Sequence, residues 1–67
     1  MSSDQERAMQ IAQARLEAAR LARDEAGMAK WRAEKAYLEA FDFLGCVADG
    51  EADAIREILE DHQKPST

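Results

Sequence analysis

Alanine recurs at Ala12, Ala19, Ala26, Ala33 and Ala40, an unbroken spacing of seven, and Val47 closes the row. The companion heptad position carries Met9, Leu16, Arg23, Lys30, Tyr37 and Leu44. Two rows three residues apart, each repeating every seven, form a coiled-coil-like seam over residues 9–47. Alanine adds almost no bulk, so a helix lined with it lets another helix approach at the close end of the usual ~8–10 Å interaxial range. Arg23 and Lys30 are charged members of this seam, and such residues fix register or partner at some cost in stability. Met9, Ala12, Leu16, Ala19, Arg23, Ala26, Lys30, Ala33, Tyr37 and Ala40 are therefore the expected seam between two copies of the chain.

Length sharpens that expectation. A chain of 67 residues holds one domain, here 1–67, and at this size a core usually needs disulfides, a metal or self-association to supplement it. Cys46 is the only cysteine and His62 the only histidine, so neither an internal disulfide nor a zinc ligand set of the usual type can form. Self-association remains. Abundant Ala, Glu, Arg and Leu, with three glycines and one proline, favour helix throughout and leave no convincing strand.

The expected fold class is all-α, a helical hairpin of one long and one short antiparallel helix that dimerises into a four-helix assembly. Ser3 followed by Glu6 is a capping-box pattern that starts the long helix, at about 4–44. Gly27 is its weak point, at a cost of ~1 kcal/mol relative to alanine, but the alanine spacing passes through without a phase slip. A continuous helix is the leading reading, and a break at Gly27 giving three shorter helices is the alternative. Gly45, Asp49 and Gly50 mark a turn over 45–50, a second helix spans about 51–63, and 64–67 form a tail.

Ala52, Ile55, Ile58, Leu59 and His62 share one face of the second helix. That face is expected to pack with Trp31, Tyr37, Phe41, Phe43, Leu38 and Leu44 as the intrachain core. The N-terminal half of the long helix is then left for a partner copy to cover, with Arg23 and Lys30 flanking the two-fold axis.

Functional signals are few. The chain has a net charge of −5, and its acidic excess is concentrated in the C-terminal half. That balance disfavours a phosphate backbone and suits a basic protein partner, or simply a solvated face. Nucleophilic triads, metal sites and phosphate loops each require several convergent groups that this sequence lacks, so no catalytic, cofactor-binding or metal residue is expected. Cys46 reads as a small buried hydrophobe and His62 as a helix C-terminal residue.

The basic residues of the first helix are interleaved with acids, the look of a salt-bridged exposed helix, so nucleic acid is only a third reading. No apolar run reaches the ~18–20 residues of a membrane span, and the N-terminal residues lack the features of a signal peptide, so a cytoplasmic location is expected. Two surfaces stand out as candidate partner-binding sites. Leu21, Met28, Trp31 and Leu38 lie outside the seam as an apolar stripe, while Asp53, Glu57, Glu60 and Asp61 form the acidic side of the second helix.

In size, acidity and long-plus-short helix layout, the whole chain resembles the small helical proteins with which phages and mobile elements disable host regulators, among them inhibitors of DNA-binding quorum-sensing activators. The resemblance is one of architecture and carries no motif, so it assigns no residue. It implies a non-enzymatic homodimer that inhibits or sequesters a larger protein. A structural or assembly coiled-coil subunit whose only partner is itself is the alternative.

Overall fold

A computed structural model describes residues 3–63, and they form three helices: α1 (Ser3–Glu25), α2 (Lys30–Ala48) and α3 (Ala52–Gln63). The protein is all-α over these residues. A single 3₁₀ turn, Gly27–Ala29, joins α1 to α2 and reverses the chain. The two helices run antiparallel, because Gln5 near the start of α1 reaches Val47 near the end of α2 while Arg23 meets Glu34 beside the turn.

The single helix expected over 4–44 is thus two helices, and Gly27 is where they part. Gly27 adopts φ 58°, a left-handed conformation open to glycine at no Cβ penalty. Backbone bonds from Ala26 N–H to the Arg23 carbonyl (3.3 Å) and from Ala29 N–H to the Ala26 carbonyl (3.1 Å) close the turn. Local propensity favoured continuation here. Reversal wins because it turns the alanine row back on itself: a straight helix of ~60 Å would leave its N-terminal half without intrachain cover.

The second expected boundary also moves. α2 runs through Gly45 to Ala48, so the turn at 45–50 begins later than expected. Asp49 N–H donates to the Gly45 carbonyl at 2.9 Å, continuing the helical pattern through the glycine. The chain leaves α2 by a Schellman arrangement: Glu51 N–H donates to the Cys46 carbonyl (3.2 Å) and Gly50 N–H to the Val47 carbonyl (3.0 Å), with Gly50 at φ 81°. The Gln5 side-chain amide donates to the Val47 and Ala48 carbonyls, both at 3.3 Å, so α1 caps the end of α2. The tail over 64–67 lies outside the described residues.

Ala8, Ala12, Val47, Ala54 and Ile58 form the buried core, and Met9, Ile11, Phe43, Leu44, Cys46, Ile55 and Leu59 pack around it. The core therefore sits at the open end of the hairpin, where α3 packs chiefly on α1 and less on α2. This overturns the expected aromatic core. Phe43 and Leu44 belong to it, but Trp31, Leu38 and Phe41 are exposed, because α3 runs over the N-terminal half of α1 and does not cover them. On α3, Ala54 takes the buried place expected for Ala52, which is exposed along with His62.

Candidate interaction surface

The seam residues are brought together, but within one chain. Ala12 is 2% exposed, Val47 is fully buried, and Ala19, Ala26, Ala33 and Ala40 are half-buried, as are Met9, Leu16 and Tyr37. Ala12 and Ala40 line a common groove with Ala36 and Phe43, so the two alanine arms lie side by side. Arg23 sits with its guanidinium 4.3 Å from the centre of the Tyr37 ring and 3.7 Å from Glu34, and Asp24 adds a second carboxylate at 3.3 Å. A cation held over an aromatic face and paired at its edge is well placed inside a half-buried seam. Lys30 is exposed.

The apolar residues expected outside the seam are exposed: Leu21 at 49%, Met28 at 102%, Trp31 at 67% and Leu38 at 52%. They do not form the single stripe that a continuous helix would give. Leu21 follows buried Ala12 by nine residues, two and a half turns, and so lies on the outer side of α1. Trp31 and Leu38 are seven apart on the outer side of α2, and Met28 projects from the turn between the arms.

Phe41, expected in the core, joins the α2 surface at 55% exposure. Its spacing of three from Leu38 and ten from Trp31 was the signal for that placement. Its ring lies 6.5 Å from Tyr37, linking the outer face to the seam, and Arg32 stands 5.7 Å from the Trp31 ring.

Asp53, Glu57, Glu60 and Asp61 are all exposed on α3, where Arg56 donates to Asp53 at 3.1 Å. Arg20 likewise bridges Glu17 and Asp24 on the exposed side of α1. Cys46 is half-buried against the core. A hydrogen bond to the Glu51 carboxylate, then burial, then the charges of Glu51, Asp49 and Asp42 push its thiol above its ordinary pKa. That shift lowers its thiolate fraction relative to an unperturbed cysteine. His62 lines a shallow groove with Gln10, Ile11, Ala14, Arg15 and Ala18.

Among the described residues no group of three His, Cys, Asp or Glu side chains is placed to hold a metal ion, and no helix is long and apolar enough to cross a membrane. Comparison with protein-family models, curated proteins and solved structures found no match for this chain.

Proposed function

We propose that this protein is a non-enzymatic interaction module that associates with itself and inhibits or sequesters a larger protein. The observation that carries this reading is the outer face of α2, where Trp31, Leu38 and Phe41 stand more than half exposed. A chain with so small a core forfeits ~1.5–3 kcal/mol for each large apolar side chain left fully in water. Burying these three against another protein recovers part of that cost, and a tryptophan flanked by aliphatic and aromatic neighbours is a typical interface anchor. The acidic side of α3 supports a partner with a basic surface, which it would steer rather than anchor. A DNA-binding transcriptional regulator, such as a quorum-sensing activator, is the class of target that the resemblance implies, and with three helices in place of the long-plus-short layout that resemblance rests on size and acidity.

The test is retention by the immobilised chain from a lysate of its native host. Wild type retains one defined protein, whereas Trp31→Ala and Leu38→Ala variants, shown by circular dichroism to stay helical, retain much less. Equal retention by wild type and variants refutes the assignment of this face. A structural subunit whose only partner is itself retains only its own copies.

A further inference from the structure

We propose that the hairpin opens at Gly27 and that two copies exchange arms, each straightened α1–α2 helix closing its alanine seam on the partner instead of on itself. The inference rests on the reading of the chain as a self-associating module and specifies how the two copies meet.

Three observations carry it. The alanine row keeps its seven-residue spacing through the turn, from Ala12 and Ala19 through Ala26 to Ala33, Ala40 and Val47. A reversed chain does not require its two arms to stay in step, whereas a continuous helix does. The turn itself has little to hold it: Ala26 and Ala29 occupy cap positions with no side-chain hydrogen bond, and Gly27, at φ 58°, has open space around the position of a Cβ. Returning Gly27, and with it Ala29 at φ −92° and ψ 17°, to the helical region replaces the local turn bonds with ordinary helical ones.

The third observation is the symmetry of the seam. Gln5 meets Val47, Ala12 shares a groove with Ala40, and Arg23 meets both Glu34 and Tyr37. The midpoints of these pairs all fall between residues 26 and 30. Two straight helices laid antiparallel about a two-fold axis at the turn therefore restore each contact between chains. α3 then packs on the partner's α1 while following its own α2.

Exchange also assembles the interaction surface. On a straight helix Leu21, Met28, Trp31 and Leu38 fall at i, i+7, i+10 and i+17, one continuous stripe. In the closed hairpin Leu21 lies on one arm's outer side and Trp31 and Leu38 on the other's. The stripe is whole only in the exchanged pair.

The experiment uses the full chain carrying Gln5→Cys and Ala48→Cys with Cys46→Ser, treated with a short bis-maleimide. These positions meet across the seam, where the Gln5 amide donates to the Ala48 carbonyl at 3.3 Å, but they are ~60 Å apart along a straight helix. A closed hairpin gives an internally linked monomer, and an exchanged pair gives a covalent dimer. The expected result is a dimer fraction that rises with protein concentration. Adding Gly27→Ala, which disfavours the left-handed turn, should shift the midpoint about tenfold or more toward lower concentration.

Inserting two glycines after Gly27 should abolish the dimer while keeping the internally linked monomer, because it relaxes the turn and breaks the helical phase. Internal linkage alone at every concentration, with and without Gly27→Ala, overturns the proposal, as does a dimer fraction that neither change moves. Those failures leave the α2 surface standing, since its test is loss of the retained partner on changing Trp31 or Leu38.

Discussion

Ile58→Ala is the most demanding single test of how this fold is held together. Ile58 and Val47 are the largest fully buried side chains, and Ile58 joins α3 to the alanines of α1. Truncation removes three buried carbons, about 2.4 kcal/mol at ~0.8 per methylene, before any cavity is counted. With the cavity, the cost lies within the ~2–5 kcal/mol found for such changes. The whole domain has only ~3–10 kcal/mol to lose, at ~0.05–0.15 per residue.

Ile58→Ala should therefore lower Tm by at least about 10 °C, at roughly 4–8 °C per kcal/mol for a domain of this size. In urea, with m near ~1 kcal/mol per molar, the midpoint should fall by about 2 M or more. The assay is helical circular dichroism at one fixed protein concentration, since self-association would make Tm concentration-dependent. Phe41→Ala is the control. Its side chain is more than half exposed, so its loss should cost less than about 1 kcal/mol. Ile58→Ala melting within a few degrees of Phe41→Ala would refute the core.

The glycines at either end of the α2 exit should respond in opposite directions to alanine. Gly45→Ala, within the helix and with nothing near the added methyl, should raise stability by ~0.5–1 kcal/mol, whereas Gly50→Ala, at φ 81°, should lower it by ~1–2. The two midpoints in urea check this, and a common direction would contradict the turn. For Cys46, alkylation by iodoacetamide should rise with pH toward a plateau reached later than for a free cysteine thiol, because Glu51 keeps the thiol protonated. Glu51→Gln should move that profile to lower pH, and an unmoved profile would remove Glu51 as the cause.

What the residue pattern made legible was which faces are buried, and what it left open was which surface buries them. The alanine row and Val47 do form a seam, but period seven reads the same whether the facing helix belongs to another chain or to the next segment of this one. Gly27 decided between those outcomes. Its local cost as a helix interior residue is small, and the compensating gain, burial of Ala8 and Ala12 under α2 and α3, is tertiary and has no local signature.

The aromatic half was misplaced for the same reason. Phe41 was assigned to a core that α3 was expected to provide, yet α3 lies over the start of α1. Ile58 was legible because Ile55 and Leu59 share its helical face, which had to be buried, although the surface that face packs on was not legible. Leu21 and Met28 were legible as residues outside the seam, whereas Trp31 and Leu38 carried two readings, outer stripe and intrachain core, of which the core reading failed; the division of the four between two arms followed from the turn.

Closure of the alanine seam in antiparallel register, within one chain or between two, is most directly tested by proton NMR at the Arg23–Tyr37 contact. With the guanidinium 4.3 Å from the ring centre, the Arg23 side-chain methylenes should be shifted upfield by the ring current and show cross-peaks to the Tyr37 ring protons. Cross-peaks between the methyls of the Ala12 and Ala40 arms should accompany them. An Arg23 spin system at random-coil shifts, with no cross-peak to Tyr37, would mean that the arms do not meet in this register and would contradict both the hairpin and the exchanged pair.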